Sequence, residues 1–403
     1  MVQAEPHSHR LSVGLTVALS ALVQSWGTLL IAFSPSLQAD LLSGSSTKLG
    51  LLYSFVAWAG MLGTILGGLL SNRLSPSRIL RASLLAGSGT VVVTGMVSHT
   101  VSFFASVSCL AFVLAVASIA ATTLLPRLAN RSSRRILSVQ LAATGLVTML
   151  LPIAVGVAQN GSGVASVFPF RVSCFLTAGG LLLGHMLMRP ETEPAKVVPS
   201  AQPAHQSAGY PRGVIAVAVI LAAVHISVDS TLGNFIPAYL QAFPQHPFPP
   251  AWILSGYSAG YLFSRLFLSF WPEGKYESLL LVAPGFIAAV IELIGFHSGS
   301  YLEASFCYWF ASLFCGLEYP VLLGFAARRL PQCFGTVLAV GGAAGGFFCA
   351  ALSFVVGRIG ESPGGLSAAF RVLPLGFVLF SAIAFAWILV MRYRPAVSER
   401  KAS

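Results

Sequence analysis

Charge is scarce in this sequence. Only 9% of its 403 residues are charged, against about a quarter in an ordinary soluble domain, and 56% are hydrophobic. Too little polar surface is left to face water on every side, which excludes a soluble globular fold. Metal-ligand spacing is missing as well. The six cysteines (Cys109, Cys174, Cys307, Cys315, Cys333 and Cys349) show no CxxC pattern, so they support neither a zinc site nor a disulfide framework and read as small apolar packing residues. There is no HExxH and no phosphate-binding glycine loop, so neither a metal-dependent hydrolase nor an ATP-driven pump is supported. One hydrolase-like pattern occurs, Gly256-x-Ser258-x-Gly260. A nucleophile elbow needs a strand, a sharp turn and a helix, whereas this pattern lies inside an apolar helical run. The expectation is no enzyme, no cofactor and no metal.

What the sequence has instead is long apolar runs, each near the twenty or so residues a helix needs to cross a bilayer. Leu11 to Phe33 and Leu49 to Ser71 are the first two. Ala82 to Pro126 carries no charge and is long enough for two spans with a turn near Ser98-His99-Thr100. Ile136 to Val157 and Val167 to Met188 complete a first set of six. The first run is too long for a signal peptide and is followed by too many others. Residues 189–212 then break the pattern with five prolines and mixed charge, a polar linker. Six further runs follow: Gly213 to Leu240, Ala251 to Trp271, Leu279 to Phe296, Tyr301 to Ala327, Cys333 to Val356 and Leu366 to Met391. The expectation is twelve transmembrane helices in two six-helix bundles, 1–188 and 213–403, joined by the linker.

The net charge of +11 would suit nucleic acid binding, but its placement follows the positive-inside rule instead. With the N-terminus inside, one side of the membrane collects Arg10; Arg73, Arg78 and Arg81; Arg127, Arg131, Arg134 and Arg135; Arg189, Lys196 and Arg212; Lys275; Arg328 and Arg329; and Arg392, Arg394, Arg400 and Lys401. The other side keeps Lys48, Arg171, Arg358 and Arg371, and Arg265 lies within a helix. Both termini and the linker are thus expected in the cytoplasm, in a plasma or bacterial inner membrane. Trp26-Gly27-Thr28-Leu29 and Leu232-Gly233-Asn234-Phe235 occupy similar places in the first helix of each half, as repeats would.

The loop after the second run reads Gly68-Leu69-Leu70-Ser71-Asn72-Arg73-Leu74-Ser75-Pro76-Ser77-Arg78. It resembles the signature loop of the major facilitator superfamily, Gly-x-Leu-Ala-Asp-Arg-x-Gly-Arg-Arg, at Gly68, Leu70 and Arg73. In that family the loop is a charge relay that latches the cytoplasmic gate. Here Asn72 replaces the acid and Arg78 alone remains of the paired bases, so the ion pair cannot form and the implied latch is weaker. The second half resembles the fucose-permease branch. The seventh run carries His225, Asp229, Gly233, Asn234 and Tyr239-Leu240, the eighth Gly260 to Arg265, the tenth Gly316-Leu317-Glu318-Tyr319-Pro320 and the eleventh Gly341-Gly342-Ala343. Relatives in that branch hold proton-coupling acids in helices 1 and 4. Neither helix has one here, and the nearest polar group is Gln24-Ser25-Trp26. The resemblance implies a secondary or facilitative transporter that moves a small polar solute by alternating access, as a monomer, with a proton or cation as the coupling ion. A transporter-like receptor or assembly factor that no longer transports is the alternative.

Ionisable groups inside the membrane are the strongest pointers to function. Asp229, Arg265, Glu292 and Glu318 form that set, all in the second half. By helical rise, Arg265 lies about 9 Å and Glu318 about 13 Å from the inner ends of their helices, so similar depth predicts that the two pair. Glu292 is on a peripheral helix and reads as structural. His225 and Asp229 are four apart on one helix face, and a carboxyl beside an imidazole at mid-membrane is suited to carrying a proton. Candidate cavity residues are Gln24, Trp26, Asp229, Asn234, Arg265, Glu318 and Tyr319. Asp229 with His225 is the candidate coupling pair, and Gly68, Asn72, Arg73 and Arg78 form the candidate gating loop. The glycine pairs Gly63/Gly67, Gly256/Gly260, Gly341/Gly345 and Gly342/Gly346 have the spacing that brings helix backbones close, either across the two halves or within one.

Overall fold

Lipid offers backbone groups no hydrogen-bond partner, so a chain that crosses it closes those bonds within its own helices. The computed structural model is helical accordingly. It describes residues 6–71, 73–129, 133–162, 166–188, 212–270, 276–330 and 334–393. Eleven helices among the described residues are long and apolar enough to cross a membrane, and the chain is a multi-pass integral membrane protein.

The first seven helices are α1 (Pro6–Ala32), the short α2 (Ser34–Asp40), α3 (Ser46–Ser71), α4 (Pro76–Met96), α5 (Thr100–Ala129), α6 (Ser133–Ser162) and α7 (Phe168–Leu187). They are followed by α8 (Arg212–Gln241), a 3-10 turn at Pro250–Trp252, α9 (Ile253–Phe270), α10 (Glu277–His297), α11 (Tyr301–Arg329), α12 (Phe334–Ile359), α13 (Gly365–Phe370) and α14 (Leu375–Tyr393). The expected turn near Ser98 falls between α4 and α5. The linker at 189–212 lies outside the described residues as far as 211, and so does Asn72.

Eleven of the twelve expected spans are found among the described residues. The eighth expected span corresponds to α9, described over 18 residues as far as Phe270, about 27 Å at the helical rise. One expectation needs correction. The last apolar run is not one helix: α13 ends at Phe370 and α14 starts at Leu375. Between them Pro374 has no N–H to donate and disfavours helical backbone at Leu373. The segment after α1 turns into α2, with Pro35 in its first turn where a missing N–H costs nothing.

The chain divides into two compact units. The first holds α1–α7 together with Asn234–Ala259, the C-terminal end of α8 and the start of α9. Within it α3 and α4 pack on α5, α4 on α7, and α1 on α5 and α6. The second holds α8 as far as Gly233 and the chain from Gly260 onward, with α10 against α11 and α14. Its core is built from Leu221, Ala222, Leu281, Leu322, Phe325, Phe380 and Trp387 among others.

The glycine faces serve this packing within units. A methyl added at Gly63 or Gly67 would meet the α5 backbone at Phe112 or Val116, and one at Gly341 or Gly345 would meet Ala222 or Ile226 of α8. Those faces are therefore packed inside one unit each, the second of the two arrangements that the spacing allows. Gly342, one residue round from Gly341, has open space beside it.

Candidate functional site

In the second unit α9 and α11 interlock through small residues. Gly260 lies against Ser312, and Gly316 against Ser264. The Ser264 hydroxyl donates to the Gly260 carbonyl (2.8 Å) and lies 2.5 Å from the Leu313 carbonyl. Close approach of this kind needs residues without bulk at i and i+4 on both helices. It fixes α9 so that Tyr261 and Arg265, each next to one of the small residues, project beside α8. The Tyr261 hydroxyl donates to Asp229 Oδ1 at 2.7 Å. The Arg265 guanidinium lies over the Tyr261 ring, 5.6 Å from its centroid, within cation–π range. Asp229, Tyr261 and Arg265 are all half-buried.

One turn before Asp229, His225 is buried, with Nδ1 2.6 Å from Glu318 Oε2. Tyr319 stacks on the imidazole at 5.7 Å, and Phe377 and Phe380 close its other sides. Glu318 is fully enclosed. Its Oε1 lies over Gly285 of α10, near the Ser381 hydroxyl of α14, without a hydrogen-bond partner. Gly285 is necessary there, since any side chain would occupy the carboxylate's space. The expected pairing of Glu318 with Arg265 is corrected: its partner is His225. Similar depth says nothing about which way each helix face is turned. Glu318 faces inward toward α10 and α14, while Arg265 stays half-exposed beside Tyr261. Glu292 of α10 is 1% exposed, and neither carboxyl oxygen has a hydrogen-bond partner.

The first unit holds a separate, neutral polar network. Gln24 Nε2 donates to the Ser20 hydroxyl (2.9 Å), and Gln140 Nε2 lies 2.5 Å from that hydroxyl and 3.2 Å from Thr122 Oγ1. Thr144 donates to Gln24 Oε1 at 3.4 Å. Gln24 is half-buried and faces this group. Trp26, two residues on and so turned about 200° away, is buried against Phe170 of α7 instead. Asn234 is half-buried in the segment grouped with the first unit. In the loop after α3, Gly68 is half-buried and Arg73 and Arg78 are exposed. The sequence reading missed Tyr261, Gln140 and Thr144, though Ser20/Gln24 and Gln140/Thr144 repeat the i, i+4 spacing of one helix face.

No protein-family model matches the chain, and no curated protein sequence matches it. Its structure resembles solved transporters. A D-xylose-proton symporter superposes with a TM-score of 0.74 at 14% identity, over 96% of this chain and 98% of that one. The xylose transporter XylE from E. coli, in an inward open conformation, gives 0.72 at 14%, over 94% and 96%. The nucleoside transporter NupG gives 0.70 at 15%, over 94% and 99%. The fold is the one that these transporters share. At these identities the likeness speaks for fold, and function rests on the site. The Gly256-x-Ser258-x-Gly260 pattern lies within α9, with no strand before it among the described residues.

Proposed function

We propose that this chain is a secondary transporter that moves a small polar solute by alternating access, coupled to protons through Asp229 and His225. The observation that carries the reading is the second unit's membrane-embedded cluster. A half-buried carboxylate hydrogen-bonded by a tyrosine stands one helical turn from an enclosed imidazole–carboxylate pair, in a fold shared with a proton symporter. Buried ionisable groups are costly in a membrane and mark ion or substrate pathways. His225 is held by Glu318, so a proton arriving at Asp229 has a polarised neighbour on the same helix. The neutral network around Gln24 and Gln140 is suited to hydrogen-bonding an uncharged part of a solute.

In this reading α9 is the twelfth span, and the bundles are 1–188 and 213–403 about a cytoplasmic linker at 189–212. Both termini face the cytoplasm of a plasma or bacterial inner membrane, the working state is a monomer, and the second half belongs with the fucose-permease branch. The test is solute counterflow with the purified chain in liposomes. Saturable exchange supports transport. Specific solute binding without any exchange would favour the receptor alternative.

A further inference from the structure

Arg265 forms no ion pair among the described residues, and the acid whose field reaches it is Asp229. Its guanidinium meets the Tyr261 ring, and the acids that could neutralise it are committed or enclosed: Glu318 to His225, Asp229 to the Tyr261 hydroxyl, and Glu292 at 1% exposure inside the unit. The first half of the chain offers none, because between Glu5 and Glu191 its only acidic residue is Asp40, at the end of the short α2. A half-exposed guanidinium in a membrane helix without a contacting counter-ion is expensive, the more so once Asp229 is protonated. Its planar fork of donors matches a carboxylate in two parallel hydrogen bonds.

Resting on the transport reading above, we infer that the solute is a small organic anion whose carboxylate docks on Arg265, and that it travels with the proton carried by Asp229. Tyr261 links the two sites, since its hydroxyl donates to Asp229 while its ring face carries Arg265. With Asp229 ionised, its field compensates Arg265 and repels an incoming carboxylate. A proton on Asp229 removes both effects, so proton and anion are taken up together and no net charge crosses. The ionisable groups around Asp229 are His225 on its own helix, Tyr261 and Arg265 on α9, Glu292 on α10, Tyr308, Cys315 and Glu318 on α11, and Cys349 on α12. Of these, Arg265 is the fixed cation, which is why anion binding reports on the charge at Asp229.

The test uses the purified full chain with lactate and gluconate, and with xylose, uridine and choline as neutral and cationic counterparts. Thermal stability is measured at acidic and neutral pH. Proton entry is followed with a trapped pH dye in liposomes under an inward solute gradient, with protein-free liposomes as background. The carboxylates should stabilise the protein, more strongly at acidic pH, and should drive proton entry. Arg265→Gln should weaken their binding by roughly thirtyfold or more, the scale for losing one partner of a desolvated charge pair. Arg265→Lys, which keeps the charge, should retain part of it and shows that the fold survives. If Arg265→Gln binds carboxylates as the native chain does, or if only neutral solutes stabilise and exchange, the anion inference falls while the transport reading stands. If no probe of any class exchanges in folded protein, the transport reading falls and takes this inference with it.

Discussion

The pair His225–Glu318 allows a measurement whose size distinguishes two kinds of contact. Both side chains are buried, at 4% and 0% exposure, and they meet at 2.6 Å. If they form an ion pair, His225→Leu or Glu318→Leu alone leaves one charge stranded, a loss of about 3–5 kcal/mol, whereas replacing both by apolar groups is often nearly neutral. The coupling energy would then be about 3 kcal/mol or more, two or more powers of ten in the folding equilibrium. If both are neutral, the contact is an interhelical hydrogen bond within the membrane, for which measured couplings average about 0.6 and reach about 1.7 kcal/mol. Unfolding of the four detergent-solubilised proteins by SDS, followed by tryptophan fluorescence, gives the cycle. The cluster predicts the larger value, because Glu318 Oε1 already lacks a partner and Oε2 has only the imidazole to stabilise it. Losses that add to within about 0.5 kcal/mol would mean the two groups do not interact and would refute this assignment.

Asp229→Asn should abolish uphill accumulation driven by a proton gradient while sparing counterflow, which needs no net proton movement; continued concentration of solute would remove Asp229 from the coupling role. Gly67→Leu should cost about 1–3 kcal/mol or more, since its first carbon would fall 3.1 Å from the Val116 backbone; native-like melting of the variant would mean that α3 and α5 do not meet there. Gly156→Leu should displace the Trp252 indole, which covers Gly156 and donates to the Ile153 carbonyl at 3.2 Å, and should redden tryptophan emission; the shift must vanish in a Trp252→Phe background. Cysteines at Leu74 and Gln245, both exposed, in a background without native cysteines should react with impermeant thiol reagents from the cytoplasmic and outer sides respectively, and the reverse pattern would invert the topology.

Membrane class and helix positions were legible because each apolar run is itself the signal, and α7 and α10 begin and end close to where their runs do. Partner choice was not legible. The rise per residue fixes depth along a helix, which is how Glu318 was matched to Arg265, but the azimuth depends on packing such as the Gly260/Ser312 and Ser264/Gly316 contacts. Spacing of small residues announced close approach at Gly63/Gly67 and Gly341/Gly345 without saying which helix approaches. Gln140 passed unnoticed because one neutral amide barely changes an apolar run, although it sits under the same hydroxyl as Gln24.

The sequence separation of the His225–Glu318 contact has a consequence for biosynthesis. The two residues are 93 apart along the chain, and a ribosome adding about 5–20 residues per second needs about 5–20 s to pass from one to the other. During that interval α8 must enter the bilayer carrying an imidazole and a carboxylate whose partners on α11 and α9 do not yet exist, and charged residues at mid-helix oppose insertion by about 2.5–3.5 kcal/mol each. The apolar remainder of α8, from Val214 through Val224 and again from Leu232 through Leu240, has to carry that insertion. The second unit therefore cannot reach its final packing until α11 emerges, and a nascent chain halted after α10 would hold His225 in lipid without its carboxylate.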